Sequence, residues 1–333
     1  MIDLTSQFAT LSKPDVTAAD DNNTLVFSAV PIIASRNHRI AKDVLGRPCI
    51  LINVNESASR STVLPTKLQN LQVTYDVICQ VSDSGQARRS KKYTVIRCLS
   101  SVDELQLHFL LVMSNFIEVV GTNPSRNQIA NALKNIIELF RSLTRPARTS
   151  IQGLWAEMFC ILQSRDVPLA VEAWHHNIDE RYDFADGDAR IEVKSASQRE
   201  RIHHFSYEQL TPPIGTELLI ASVFVERLGA GLSIRDLISR IRVRLYSADL
   251  IFHFDSVVSK SLGKDWENGI DDSFDEHLAR QSLAFFHYQD IPNIPYGIPP
   301  QIKNIHFQCN LENIKPVKSN SIYEQIRLFL SMV

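Results

Sequence analysis

Short apolar runs recur through the first hundred residues, and polar segments separate them. These runs cover residues 25–33, 48–54, 71–81 and 92–99. Apolar runs of this length between turn residues predict β-strands. The last two runs flank SDSGQARRSK, whose glycine predicts the turn of a long hairpin.

Two segments with helical spacing follow the hairpin. Ser101 stands before Asp103 and Glu104, and acids are favoured in the first turn of a helix. Within residues 125–143, one stripe at helical spacing is apolar: Ile129, Leu133, Ile136, Ile137 and Phe140. Pro146 ends this second helix. We therefore predict an N-terminal α+β domain over residues 1–147, rich in strands and with two helices.

The pattern changes after residue 150. GLWAEMFCILQS (153–164) predicts a helix whose core side holds Leu154, Met158, Ile161 and Leu162. Strands are predicted at 169–175, 181–185, 189–196 and 217–226, with a short helix or turn in HHFSYEQL (203–210). This order of helix and strands predicts an α/β (α+β) fold, a mixed sheet flanked by helices, over residues 148–228.

The remaining residues, 229–333, are predicted to form a C-terminal α+β region. LSIRDLISRIRVRL (232–245) has the spacing of a helix. An acidic segment, DWENGIDDSFDEH (265–277), comes next. Strand-like AFFHYQDI (284–291), the Pro-rich turn NIPYGIPPQI (293–302) and strand-like IHFQCNL (305–311) complete the region.

Charge and cysteine usage narrow the classes of protein to consider. The formal net charge is −2, so a nucleic-acid site would have to be a local basic patch. The five cysteines are far apart and lack CxxC spacing, which disfavours a zinc knuckle and a disulfide framework. No signal-peptide pattern is visible at the N-terminus, and the apolar run 107–120 is interrupted by Asn115 and Glu118. We expect a cytoplasmic protein without a membrane partner.

Candidate chemistry lies in RYDFADGDARIEVKSAS (181–197). In a strand, Glu192 and Lys194 share one face. This pair alone would also fit a salt bridge on an exposed sheet face. Asp183 lies nine residues before Glu192, and ADGDA between them has the composition of a turn, so a hairpin would bring both carboxylates together. Asp186 and Asp188 are alternatives in the same turn. We favour Asp183, because a strand position is more rigid than a loop position.

Two carboxylates with open water positions suit Mg²⁺, which prefers oxygen ligands. Such an ion lowers the pKa of a bound water and stabilises a pentavalent phosphate. Lys194 would orient the attacking water or neutralise phosphoryl charge. Glu157 is the one acid of its apolar helical segment, and buried glutamates are usually paired or ligating. The alternative for Glu157 is a helix-edge position in contact with water.

Together, Glu157, Asp183, Glu192 and Lys194 resemble the motif of the PD-(D/E)XK nuclease superfamily. The wider chain resembles the bacterial PD-(D/E)XK motif proteins found beside restriction-modification and phage-defence genes. The narrower resemblance rests on GLWAEMF, EVKSAS, HHFSYEQL and the C-terminal FHYQDIPNIPYGIPPQIKNIHFQCNL. Tyr182 stands where the motif has proline, so the literal PD is missing, although the ligand of the motif is the aspartate.

The resemblance implies a restriction-endonuclease-like fold and a Mg²⁺-dependent DNA endonuclease of a restriction or anti-phage system, in which Mn²⁺ substitutes. It implies a metal held by Asp183, Glu192 and the main-chain carbonyl of Val193, with Glu157 bound directly or through water. Gln209 and Ser195 are candidates for supporting polar contacts, although a Gln at position 209 fits a helix surface equally well. His203 and His204 are weaker candidates for a general base.

DNA is the expected partner. Two basic clusters, 141–148 and 198–204, bracket the predicted catalytic strand, as a phosphate-tracking groove requires, and two more lie at 86–92 and 239–244. Each alone also fits a solvated face. The acidic segment 265–277 is expected to face away from DNA.

The sequence also leads to expectations about the oligomeric state and about partner subunits. A homodimer is expected because cutting both strands usually takes two centres. No Walker or methyltransferase glycine motif is visible, so a methyltransferase or ATPase, if needed, would be a separate subunit. The alternative is a catalytically silent nucleic-acid-binding or assembly subunit that keeps the nuclease fold.

Overall fold

The computed structural model describes residues 2–14, 25–55, 64–82, 89–175, 181–294, 298–299, 301–317 and 327–332. The chain forms two compact units. The first consists of Met1–Pro146 and Gly263–Glu267, and the second of Ala147–Leu262 and Asn268–Val333. The predicted core 148–228 and most of the predicted region 229–333 thus lie in the same unit.

The first unit contains a six-stranded sheet. Its strands are β1 (Leu25–Ile32), β2 (Ser35–Lys42), β3 (Pro48–Ile52), β4 (Thr66–Lys67), β5 (Leu71–Ser82) and β6 (Arg89–Cys98). Their order is β1-β2-β3-β6-β5-β4, and β1 also pairs in parallel with β5. The predicted long hairpin is confirmed as β5 and β6, while the hairpin tip, residues 83–88, lies outside the described residues.

Three helices accompany this sheet: α1 (Leu4–Ala9), α2 (Asp103–Val120) and α3 (Arg126–Ser142). Helices α2 and α3 match the two predicted ones. Ser125 begins α3 with a capping box, in which its hydroxyl accepts from the Gln128 amide and the Gln128 side chain accepts from the Ser125 amide. Strand β2 was not predicted, because SRNHRIAK is mostly polar, although Ile40 and Ala41 are buried in the core.

The second unit contains a four-stranded mixed sheet. Its strands are β7 (Phe184–Asp186), β8 (Ala189–Ala196), β10 (Glu217–Phe224) and β13 (Ala284–His287). Their order is β13-β10-β8-β7, with β8 and β10 parallel and the other pairs antiparallel. Two ribbons complete the strands: β9 (Ile202–Ser206) with β14 (His306–Asn310), and β11 (Arg227–Ser233) with β12 (Ser273–Phe274).

Helices flank this sheet, so the predicted mixed sheet with flanking helices is confirmed. They are α4 (Ile151–Gln163), α5 (Val167–Ala173), α6 (Ile234–Arg242), α7 (Ala248–Leu262), α9 (Glu276–Ser282) and α10 (Arg327–Met332), while α8 (Trp266–Gly269) spans the boundary between the units. Helix α4 packs against β8, and against α5, α6 and α7. Strands β8, β13 and β14 and helix α6 occur where the sequence predicted them, while residues 295–297 and 300 of the Pro-rich turn are not described.

The predicted strand at 169–175 is wrong. Residues Val167–Ala173 form helix α5, because Asp166 caps the helix by accepting from the Leu169 amide and Pro168 occupies its first turn. The chain becomes extended only at Trp174, which forms an isolated bridge with Phe184. HHFSYEQL likewise divides, its first half in β9 and its second half in a 3₁₀ turn, Tyr207–Leu210.

Within the described part of the chain, none of the helices combines the length and the apolar character that crossing a membrane requires.

Candidate active site

Three elements of the second unit bring acidic side chains together. Glu157 lies on the buried side of α4, where Ser150 caps the helix by accepting from the Gly153 amide. Asp183 directly precedes β7, so the predicted strand at 181–185 is wrong for this residue, while Glu192 lies within β8 as predicted. Glu157 and Glu192 are only 4% and 5% exposed, which is unusual for glutamate without a partner.

The Glu157 carboxylate is held by two ring nitrogens. Trp174 Nε1 donates to its Oε2 at 2.8 Å, and His175 Nε2 lies 2.9 Å from the same oxygen. The two residues follow α5 directly, and His253 Nε2 contacts the Trp174 carbonyl at 2.7 Å. Glu157 is therefore oriented by the two residues that directly follow α5.

The hairpin register decides which aspartate joins the cluster. Phe184 pairs with Ile191 and Asp186 with Ala189, so Asp183 lies level with Glu192. Asp183 Oδ2 accepts from the Val193 amide at 2.7 Å, and its Oδ1 lies 3.8 Å from His175 Nε2. Of the other two candidates, Asp186 lies near Arg327 Nε, at 3.4 Å, and Asp188 is exposed in the turn.

Lys194 is fixed by two oxygen acceptors on the same side of the sheet. Its Nζ lies 2.8 Å from Glu192 Oε1 and 3.0 Å from Gln209 Oε1. The Gln209 side-chain amide donates to Glu192 Oε1, and its oxygen also accepts from the Ser206 amide. The Lys194 ammonium lies over the Phe205 ring, 5.2 Å from its centre. The structure thus brings Glu157, Asp183, Glu192 and Lys194 together.

Burial and mutual repulsion act on the protonation of these acids. Burial, followed by the charges of Glu192 and Glu157, raises the pKa of Asp183 well above its usual range. Burial also raises the pKa of Glu192, and the adjacent Lys194 opposes that rise. Ionised carboxylates this close together are costly without further positive charge.

The donor set fits a divalent cation. Glu157, His175 and Asp183 each offer one ligand atom, and these atoms all lie within 4.8 Å of one another. Glu192 Oε2 is buried and has no hydrogen-bond partner among the described residues. Carboxylate oxygens that lack donors are the ligands that Mg²⁺ and Mn²⁺ favour.

The other predicted site residues have different surroundings. Ser195 Oγ accepts from Gln152 Nε2 at 3.1 Å, so it supports α4 against β8. The Val193 amide holds Asp183, whereas the assignment of its carbonyl as a ligand stays a prediction. His203 is buried and bonded to Ser222 Oγ, and burial lowers its pKa to about 4. His204 is exposed beside Gln308.

His175 and Trp174 were not predicted to belong to the site. Both fall at the end of a segment whose apolar run favoured a strand, which would have turned their side chains to opposite faces. Asp166 followed by Pro168 is the sequence signal for a helix here, since a capping residue precedes a proline in the first turn. This signal would have predicted that Trp174 and His175 follow a helix and do not lie in a strand.

Many arginines in the predicted basic clusters have acidic partners. The pairs are Arg141 with Glu138, Arg199 with Glu226, Arg240 with Glu276 and Arg242 with Asp255. The acidic segment 265–277 supplies Glu276 and also pairs Asp271 with Arg235 and Asp272 with Arg227. Residues 86–88 of the hairpin cluster lie outside the described residues. DNA contacts at these clusters stay a prediction.

Comparison with protein families gave one match over most of the chain. The family model described as "Putative PD-(D/E)XK family member" (DUF4420) matches residues 4–312. Searches of the curated proteins and of the solved structures found no match. The matched range includes Glu157, Asp183, Glu192 and Lys194. The chain therefore belongs to the DUF4420 family, a family of the PD-(D/E)XK group.

Proposed function

We propose that the protein is a divalent-metal-dependent nuclease that hydrolyses DNA phosphodiester bonds. One observation carries the proposal: the buried carboxylates of Glu157 and Glu192, the partly buried carboxylate of Asp183 and one lysine converge, and a buried oxygen of Glu192 lacks a hydrogen-bond donor among the described residues. A cluster with this excess of negative charge supports binding of a cation, and its lysine supports binding of an anion beside it.

Each residue has a defined task in this proposal. Glu157, Asp183 and Glu192 would hold Mg²⁺ or Mn²⁺. When bound, the ion supplies a water of lowered pKa and positive charge beside the phosphate. The Val193 amide and Trp174 Nε1 keep Asp183 and Glu157 oriented, so the carboxylates need little rearrangement.

Among the described residues, two acceptors contact the Lys194 ammonium, which leaves one of its donors for the substrate. An ammonium carries three N–H donors, and Glu192 and Gln209 accept two of them. The third is available to a phosphate oxygen or to the attacking water. Because both acceptors are themselves fixed, the ammonium is positioned before the substrate arrives.

The wider role follows the resemblance noted above. We propose DNA as the substrate and an anti-phage or restriction system as the setting, with a homodimer where both strands are cut. Any methyltransferase or ATPase would be a separate subunit.

The proposal is tested with purified wild-type protein and with three DNA substrates: supercoiled plasmid, end-labelled linear duplex and end-labelled single strands. Cleavage is expected with Mg²⁺ or Mn²⁺ and not with excess EDTA. Metal-independent binding of DNA without cleavage in any form would instead favour a silent binding subunit.

Gln209 is expected to act as a positioning residue for Lys194. Gln209→Leu removes the acceptor on Lys194, so kcat should fall about 10–100-fold with little change in KM. Ser206→Ala is the matched control, because it removes the hydroxyl that caps the same turn and leaves the Gln209–Lys194 contact. Equal kcat losses in both variants would show that Gln209 acts only by stabilising the turn.

A further inference from the structure

The His175 imidazole lies beside two of the predicted metal-binding carboxylates, although the predicted ligand set contained only oxygen atoms. Its Nε2 lies 2.9 Å from Glu157 Oε2 and 3.8 Å from Asp183 Oδ1. From such spacing, three side chains can close on one ion with small shifts, since bonds to such ions measure about 2.0–2.2 Å. The imidazole therefore stands where a ligand between Glu157 and Asp183 would stand.

The backbone at His175 adopts an uncommon conformation, with a positive φ. Its φ is +41°, in the left-handed region that residues other than glycine adopt uncommonly, although asparagine, aspartate and histidine do so more often than the others. The His175 amide donates to the Asp183 carbonyl at 2.9 Å, and His253 holds the preceding carbonyl of Trp174. These contacts fix the ring against the hairpin and maintain the strained residue.

A separate observation, on Glu192, supports a cation beside these three residues. Glu192 Oε2 is buried without a hydrogen-bond donor among the described residues. The hairpin register places Glu192 level with Asp183, one of the three residues that offer a ligand atom. A buried carboxylate oxygen without a donor destabilises the folded protein, and a bound cation would offset that cost.

The ligand types then decide which ion fits best. Mg²⁺ strongly prefers oxygen, whereas imidazole nitrogen suits first-row transition ions and Mn²⁺ also accepts carboxylates. We propose that His175 Nε2 is a ligand of the divalent ion, with Glu157 and Asp183, and that it makes the site select Mn²⁺ over Mg²⁺. This inference rests on the proposed metal-dependent function and adds a nitrogen ligand to the predicted oxygen set.

Binding would exchange one contact of His175 for another. The ring must present an unprotonated Nε2, so its proton would reside on Nδ1 and the contact with Glu157 Oε2 would be replaced by the ion. Trp174 Nε1 would still hold Glu157. The site thus keeps one fixed donor on Glu157 with or without the ion.

The test measures the ion rather than cleavage. Full-length protein loaded with Mn²⁺ is studied by electron spin-echo envelope modulation, with natural-abundance and ¹⁵N-labelled histidine. Affinities for Mn²⁺ and Mg²⁺ are measured by calorimetry in wild type, His175→Asn and His277→Asn. Asparagine tolerates positive φ, so the first variant keeps the backbone. His277 is exposed on α9 in the same unit and serves as the matched control.

The expected result is a directly bound ¹⁴N signal that becomes ¹⁵N on labelling and disappears in His175→Asn. That variant should lower the ratio of Mn²⁺ to Mg²⁺ affinity at least about tenfold, and His277→Asn should leave it unchanged. Mn²⁺ bound without a histidine signal, in a protein that still cleaves DNA, would overturn the role of His175 and leave the proposed function standing. Absence of any Mn²⁺ binding would overturn both.

Discussion

Asp183→Asn is expected to abolish DNA cleavage and yet to stabilise the metal-free protein. The amide oxygen of asparagine can still accept from the Val193 amide, so the hairpin keeps its bond. The substitution removes a charge that Glu192 and Glu157 repel. Cleavage should fall by about 10³-fold, and the free energy of unfolding should rise by about 1 kcal/mol near pH 7.

The raised pKa of Asp183 determines how the free energy of unfolding changes with pH. Asp183 binds its proton more tightly in the folded protein than in the unfolded chain, whose ordinary value is 3.8. Between 3.8 and the raised folded pKa, the folded state therefore holds more protons, and the free energy of unfolding falls as the pH rises. Above that window the loss is complete. Asp183→Asn should flatten this decline.

Guanidinium unfolding in EDTA, from pH 4 to pH 8, measures the decline. Asp188→Asn is the matched control, because Asp188 lies in the same hairpin and is exposed in the turn. That variant should keep the pH profile and the cleavage activity of wild type. An Asp183→Asn protein that is less stable than wild type at pH 7 would contradict the repulsion described here.

Lys194→Ala is expected to abolish cleavage and, unlike Asp183→Asn, to destabilise the protein. Glu192 would lose the positive charge that opposes the rise of its pKa, while staying buried. Breaking a buried pair by removing one partner is strongly destabilising, although uptake of a proton by Glu192 limits the cost. We expect a loss of about 2 kcal/mol near pH 7, a smaller loss near pH 4, and a 10²–10³-fold drop in cleavage.

The same unfolding series measures this prediction, with Arg199→Ala as the control. Arg199 pairs with Glu226 at 2.9 Å, but that pair is exposed, so its removal should not measurably change stability. Unchanged stability in Lys194→Ala would mean that Glu192 is already neutral in the folded protein at pH 7. Retained cleavage would remove Lys194 from the proposed mechanism.

Local sequence patterns predicted the strand that carries the motif but not the whole site. Strand β8 begins and ends where the alternation of Ile191 and Val193 with charged residues predicts it. Gly187, with φ of +53°, begins the two-residue turn between β7 and β8, and the Gly187-Asp188 pair matches the Gly-Asp signal of a hairpin. This tight turn sets the register that places Asp183, rather than Asp186, beside Glu192.

The remaining parts of the site depend on contacts distant in sequence. A short apolar run such as residues 169–175 fits a buried strand and a buried helix equally well, and the cap at Asp166 decided between them. The position of His175 then follows from the bridge between Trp174 and Phe184. Gln209 reaches Lys194 because the residues before it form β9, which lies beside β8.

Cleavage of supercoiled plasmid by four proteins tests the central claim most directly. Wild type, Asp183→Asn, Lys194→Ala and Asp188→Asn are purified in parallel and compared with Mg²⁺, Mn²⁺ and EDTA. The account predicts metal-dependent cleavage by wild type and Asp188→Asn, and none by Asp183→Asn or Lys194→Ala. Equal cleavage by all four proteins, or cleavage that persists in EDTA, would contradict a metal-dependent site built on these residues.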